Sequence, residues 1–385
     1  MLVECLIVVI LSAVIYLYEE KHGKSGHRIS SMVLFIWIYI LLSGNYENAD
    51  AYNYEAEYNQ NLTGFGFSVT GFWGYYFLNK LCQALSMSYY QSRFVAYVIG
   101  FLALLMAIDK MKINRYMTLV LYMLFPMLID GTQTKNFIAM SLLTLAMTFL
   151  ISGKKSDKIF FMVLIILAGG FHPVFYVYFP LVICDSKKVQ ARFVLPIVLF
   201  SLIFANRGMS SLLADFILTH LDEFLAERAS KFFMSRVGGY WVKFLATGTV
   251  ITLVYIMRRA VLLSPDSKDE EKRFSNIVMY CALFSLTFLP FYFLRSDFAI
   301  LLRNFFPVFH MLFIMFLKVK NIPPIKQGKK SYMLELATSK PMIIMMYLML
   351  LGYMFYWDIY LFKDMVIIPL FTYNSFFDVL NASFR

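Results

Sequence analysis

Residues Tyr116–Asp130 read YMTLVLYMLFPMLID, the next five read GTQTK, and Asn136–Ile151 read NFIAMSLLTLAMTFLI. The second run has no charged residue, and the first has none before Asp130. A helix on the surface of a soluble domain carries a polar stripe, whereas these would be apolar all round. Two such runs joined by the short polar turn Gly131–Lys135 describe a helical hairpin that enters and leaves a membrane.

The same texture extends along the chain. Its 385 residues are 60% hydrophobic, 18% aromatic and 15% charged, with a mean hydropathy of +0.66. Soluble domains carry about a quarter charged residues. The composition therefore excludes a soluble enzyme, a disordered chain and a single-anchor receptor. At roughly 20 residues per crossing, about twelve crossings use about 240 residues and leave enough for loops. The expected fold is an all-α polytopic membrane domain spanning residues 1–385, with about twelve transmembrane helices, some short or broken. The run Leu2–Tyr18 has no basic segment before it and no small-residue cleavage site after it, so it reads as a mature helix.

The net charge of +11 does not point to nucleic acid, because the basic residues cluster between apolar runs. Segments 19–31, 109–115, 153–158, 185–192, 258–274 and 318–340 hold 23 of the 35 Lys and Arg residues and read as cytoplasmic. Segments 44–92, 207–240 and 358–385 then fall outside. Gly44–Thr70 agrees, with Glu47, Asp50, Glu55 and Glu57 and no Lys or Arg. Gly71–Ser88 reads as an interfacial amphipathic helix, since a crossing there would drive the basic segment 109–115 outside. Arg207–Tyr240 reads as a second surface helix, apolar at Leu213, Phe216, Ile217 and Leu221 and polar at Asp215, Thr219 and Asp222. Ile159–Phe171 and Pro173–Ile183 meet at a break, because proline removes a donor and restricts its predecessor.

Few groups on the outer side could do chemistry. Lys135 opens one helix, and Arg295 and Arg303 bracket the start of another, with Asp297 between them. Such cations either pair and snorkel, or meet an anion such as a lipid phosphate. Asp50 lies in a tyrosine-rich acidic loop whose spacing fits a solvated surface or a base beside sugar-stacking rings. His172 fits a structural hydrogen bond or a proton-transfer role, and His310, mid-helix, reads as structural. The isolated Cys5, Cys82, Cys184 and Cys281 form no pair motif. No histidine or carboxylate spacing suits a metal, and no phosphate-cradling glycine loop is present, so neither metal nor cofactor is expected.

Taken in order, DAYNYEAEY (Asp50–Tyr58), GTQTKNFIA (Gly131–Ala139), AGGFHP (Ala168–Pro173), RNFF (Arg303–Phe306) and a tail containing Pro369 and Phe376-Phe377 resemble the EpsG-like, Wzy-type polymerases of bacterial exopolysaccharide and O-antigen. Relatives often carry Arg-Gln where this chain has Lys135-Asn136. The resemblance implies a glycosyltransferase C-like membrane enzyme of the bacterial cytoplasmic membrane. Its substrates would be undecaprenyl-pyrophosphate-linked oligosaccharide repeats, joined on the outer face with release of lipid pyrophosphate. Membrane lipid and a chain-length regulator would be its partners. On that reading Asp50 is the base, with His172 in reserve. Lys135, Arg295 and Arg303 would meet the pyrophosphate, and Asn136, Tyr52, Tyr54 and Glu55 the substrate. A flippase for the same lipid-linked sugar and an O-antigen ligase are the alternatives. Against the flippase stand the missing internal repeat and the two sizeable external segments.

Overall fold

The computed structural model describes residues 2–23, 27–62, 71–220, 230, 239–320 and 339–378. The surface-helix reading beyond His220, the side chain of Asp297, most of the basic segment 318–340 and the end of the tail lie outside the described residues. Helices run in the order α1 (Leu2–Lys21), α2 (Arg28–Gly44), α3 (Ala51–Leu62), α4 (Trp73–Ala84), α5 (Tyr89–Lys110), α6 (Arg115–Leu124), α7 (Met127–Asp130), α8 (Thr134–Phe149) and α9 (Lys155–Phe171). After the 3-10 segment Pro173–Ile183 come α10 (Ala191–Phe204), α11 (Arg207–His220), α12 (Tyr240–Leu263), α13 (Asp269–Phe284), α14 (Phe306–Lys318), α15 (Lys340–Asp358) and α16 (Ile367–Thr372), with single turns between some of them. An isolated antiparallel bridge joins Asn45 to Asn374.

Five described helices are long and apolar enough to cross a membrane: Tyr89–Lys110, Thr134–Ser152, Tyr240–Leu263, Asp269–Tyr292 and Lys340–Phe362. The pair α10 and α11, bent by 109° at its break, makes a sixth if it is one span. Arg28–Gly44, Pro173–Ile183 and Phe306–Lys318 are shorter apolar pieces. Against the expectation of about twelve crossings, the described residues hold five or six helices of full length, beside several that fall short. Hydrophobic runs predict burial in lipid or in protein, and only length decides which of them can cross a membrane. The break expected at His172-Pro173 is present: α9 ends at Phe171, and a 3-10 segment containing Pro180 follows. The amphipathic helix expected within Gly71–Ser88 is the twelve-residue α4, too short to span.

The chain forms two compact units. The first comprises the described parts of Met1–Thr148, Met162–Phe179 and Met354–Arg385. In it α1 packs on α2, α2 packs on α5, α6 and α16, and α3 packs on α4 and α5. Glu19, 2% exposed, accepts from the backbone N–H groups of Ile29 and Ser30 and from Ser30 Oγ, which places a carboxylate on the donors that open α2. Ser88 and Gln91 form a capping box at the start of α5, and Asn114 caps α6. The α8 stretch is surrounded by protein, 94% buried along its span, as its all-round apolar sequence allows. At Gly100 a Cβ would stand 2.4 Å from the Phe137 ring, so α5 and α8 require a glycine there.

The second unit comprises the described parts of Phe149–Phe161 and Pro180–Tyr353. Here α12 packs on α13 and α14, and α10 packs on α13. His310, fully buried, lies 2.7 Å through Nδ1 from the Tyr347 hydroxyl, a structural pairing inside an apolar helix. Trp241, Leu245 and Tyr255 on α12 and Met345, Leu348 and Met349 on α15 are exposed, the apolar surface expected of helices facing lipid.

Candidate active site

The site in the first unit begins where α2 ends. A helix leaves its last four carbonyls without intrahelical donors. Asn374, fully buried, donates through Nδ2 to Ile40 O at 3.1 Å and Leu41 O at 3.2 Å, and Ser375 Oγ donates to Gly44 O. In return Asn45, also fully buried, donates through Nδ2 to Pro369 O at 2.9 Å and Tyr373 O at 3.0 Å. Two amides thus stitch the residues around α16 onto the end of α2. Asn48 continues the chain of bonds: its Nδ2 donates to Asn45 Oδ1, and its Oδ1 accepts from Asp50 N at 3.0 Å. The turn delivers Asp50 to the first turn of α3, where Asp50 O accepts from Tyr54 N.

One face of α3 then folds onto the α4–α5 hairpin. Tyr58 donates from its hydroxyl to Met87 O at 2.6 Å, and Gln83 Nε2 donates to Tyr58 O at 2.7 Å. The rings of Tyr54 and Tyr75 lie 6.0 Å apart, as do those of Tyr58 and Tyr89. Residues 54 and 58 are one helical turn apart, and this pair brings the acidic segment back over the membrane-side helices. Tyr52 takes no part in this packing, being 81% exposed. Glu55 accepts from the Tyr90 hydroxyl at 3.3 Å.

Lys135 sits at the centre of this packing. Its side chain is 5% exposed, and its ammonium lies 2.5 Å from Glu57 Oε2. The ammonium also stands over three rings, at 3.9 Å from Phe72, 4.8 Å from Tyr75 and 4.9 Å from Tyr54. A cation at the opening of α8 opposes the helix dipole. Glu57 and the ring faces offset that cost together. Asn136, next along α8, is 1% exposed.

Phe72 also links Lys135 to the His172 region, since its ring lies edge-on to the imidazole at 5.7 Å. Behind it, Gly169 and Gly170 admit large side chains to the end of α9. A Cβ on Gly170 would be 2.5 Å from the Trp73 indole, and one on Gly169 would be 2.1 Å from the Tyr176 ring. Trp73 Nε1 donates to the Tyr176 hydroxyl at 3.1 Å across this notch. The AGGFHP segment is thus a seat for α4, with His172 at its edge.

The turn before Lys135 is held from α5. Tyr97 Oη lies 3.0 Å from the carbonyls of both Asp130 and Gly131, and Thr134 Oγ1 is 3.3 Å from the same hydroxyl. Arg93 Nη2 donates to Leu42 O at 3.1 Å and reaches Gly131 O at 3.5 Å. The Tyr122 hydroxyl donates to Asp130 Oδ2 at 3.0 Å.

Asp50 is half-buried. Burial raises its proton affinity above the usual carboxylate range, and the Lys135 charge opposes that rise. Burial likewise pushes the Tyr54 and Tyr75 phenols well above their ordinary range, so both remain neutral donors.

Of the residues singled out from sequence, Asp50, Tyr54, Lys135 and Asn136 belong to this neighbourhood, and His172 joins it through Phe72. Tyr52 and Glu55 lie on α3, with contacts different from those of the Lys135 cage. Arg295, half-buried, and Arg303, 4% exposed at the end of the turn Ile300–Arg303, belong to the second unit. Sequence reasoning passed over Glu57 and Arg93. Arg93 carried a signal, as a lone cation entering an otherwise apolar helix. Glu57 had none beyond its place among four acids.

These features define a polytopic α-helical membrane protein with a polar, tyrosine-rich site at its helix ends. The chain belongs to the EpsG family, whose family model matches residues 28–334. EpsG-like proteins are Wzy-type polymerase-like, which makes this a polysaccharide-polymerase-like membrane protein. The match takes in Asp50, Lys135, His172, Arg295 and Arg303 and omits α1 and α15–α16. No curated protein and no solved structure gives a significant match to the chain.

Proposed function

We propose that this chain joins undecaprenyl-pyrophosphate-linked oligosaccharide repeats on the outer face of the bacterial cytoplasmic membrane, as a glycosyltransferase C-like enzyme. The growing chain passes from its carrier to the non-reducing hydroxyl of the next unit. The acceptor hydroxyl loses its proton to a base, and its oxygen forms a bond to the anomeric carbon. The anomeric carbon–oxygen bond to phosphate breaks, and lipid pyrophosphate departs with the electron pair.

The observation that carries this reading is the state of Asp50. A general base works best when its pKa approaches the working pH and it is shielded from bulk water. Asp50 is half-buried with raised proton affinity, and α3 is held over the mouth of α8 by the Lys135–Glu57 pair. Lys135 acts through that pair, by fixing the loop that carries the base. Tyr54, half-buried and neutral, has Lys135 over one ring face and leaves the other for a sugar ring. Arg295 and Arg303 are assigned to a phosphate-bearing lipid, where guanidinium provides two-pronged donation.

A deletion strain scored for polysaccharide length tests the reading. Carrier-linked single repeats exposed outside the membrane are expected on loss of the chain. Repeats accumulating on the inner side would favour the flippase, and full-length polymer left unattached to its final lipid would favour the ligase.

A further inference from the structure

We infer that Arg93 is an oxyanion-binding residue, and that the facing sides of α4 and α5 form a site for a phosphoryl group. Arg93 is 1% exposed, and among the described residues no carboxylate forms an ion pair with it. Nη2 is engaged by the carbonyls of Leu42 and Gly131; the rest of the guanidinium faces the Tyr89 hydroxyl, and Nε and Nη1 complete no well-aligned hydrogen bond. A guanidinium cannot shed its proton, so its charge stays buried with N–H bonds to spare beyond the two carbonyls and the Tyr89 hydroxyl.

The surroundings supply further donors of the same kind. Tyr89, one turn earlier on the same face of α5, is 3% exposed, and its hydroxyl lies against the Arg93 guanidinium, where it can only accept, so its own O–H is left to donate. Asn79, one turn after Tyr75 on the buried face of α4, is 1% exposed, and neither its Nδ2 nor its Oδ1 has a partner; Tyr75 itself lies within range of the Arg93 charge, and α4 packs on α5. Buried polar groups are nearly always satisfied, and this hairpin holds three side chains with hydrogen-bonding capacity left over. Their unmet valence is chiefly donation: guanidinium N–H, phenolic O–H and amide N–H. An acceptor-only group with negative charge fits that set, and a phosphoryl group offers several such oxygens.

The neighbouring cation does not compete for this ligand, because Glu57 already balances Lys135. Arg93 lies in the same unit as Asp50. Assigning the phosphoryl group to the departing lipid pyrophosphate rests on the polymerase reading; the oxyanion site itself does not.

Direct binding tests it. Purified full-length protein is titrated with inorganic pyrophosphate and with farnesyl pyrophosphate in a neutral detergent. It is also reconstituted in phosphatidylcholine nanodiscs with and without phosphatidylglycerol, and in each case thermal stabilisation is read. Arg93 also clamps two carbonyls, so Arg93→Lys, which keeps the charge, is paired with Tyr89→Phe and Asn79→Leu, which leave the clamp intact. Saturable stabilisation by both pyrophosphates is expected. Arg93→Lys should weaken affinity at least tenfold, and each of the other two variants about three- to tenfold. Equal affinity in wild type and all three variants, or no binding of any phosphate, overturns the proposal. Stabilisation by phosphatidylglycerol alone overturns the leaving-group assignment and supports a headgroup at Arg93. A deletion strain with normal polymer would remove the polymerase reading and leave this binding result standing.

Discussion

Removing the ammonium of Lys135 tests how much of the hold on α3 comes from its ion pair with α8. Lys135→Met keeps the aliphatic stem among Phe72, Tyr75 and Tyr54 and deletes the charge. Truncating one partner of a buried pair costs about 3–5 kcal/mol, whereas an exposed pair is worth about 0–1 kcal/mol. Lys135 is 5% exposed and Glu57 33%, so the pair lies between those limits and nearer the buried one. Three ring faces add about 0.5–1 kcal/mol each at partly exposed sites, shared among contacts that are not additive. The expected loss is about 2–4 kcal/mol. A double-mutant cycle with Glu57→Gln should show a coupling of about 1–2 kcal/mol, and Lys135→Arg, which keeps the charge, should retain most of the stability. Reversible denaturation of the purified protein in detergent gives the four free energies. Losses from Lys135→Met and Glu57→Gln that add to within about 0.5 kcal/mol would refute a direct pair.

Other consequences follow from particular contacts. Asn374→Ala removes the donors to Ile40 O and Leu41 O and should cost about 2–4 kcal/mol, read by the same denaturation, with Asn45→Ala similar. Asp50→Asn should stop chain extension without loss of stability at neutral pH. The folded-state proton affinity of Asp50 exceeds that of the unfolded chain, so ionisation costs stability above its raised pKa and the cost vanishes as pH falls through it. For the same reason wild-type activity should fall off, on acidification, above the ordinary aspartate value of about 3.9, as a pH–rate profile in reconstituted vesicles would show. Gly170→Ala should displace Trp73 and lower the yield of folded protein, while Gly248→Ala, which meets open space, should leave it unchanged.

Much of the fold was legible because a membrane imposes simple rules. Tyr116–Ile151 has too few charges to be anything but buried, and its turn reappears between α7 and α8. His172-Pro173 announced a break, and the chain breaks there. The number of full crossings was less legible. Apolar runs such as Phe193–Ala205 and Phe298–Leu317 read alike from sequence, yet the first bends at its end and the second is divided into short turns before α14. Local packing decides the first and Pro307 opens the helix that follows the second, and hydropathy averages over both. Within the site, Asp50 and Lys135 stood out because charges are scarce on the outer side. Their relation was hidden, since it depends on Tyr54 and Tyr58 turning one face of α3 inward while Tyr52 points to solvent. Nothing in the order of Glu47, Asp50, Glu55 and Glu57 marks the third glutamate as the partner of a lysine 78 residues away.

The most direct test of the account is polysaccharide length in a deletion strain complemented with wild-type protein or with Asp50→Asn, with protein level and membrane insertion checked in each. The account predicts long polymer with wild type, and carrier-linked single repeats with both the empty strain and Asp50→Asn. Polymer of wild-type length from the Asp50→Asn strain would contradict the assignment of the base, and polymer of normal length in the deletion strain would contradict the polymerase itself.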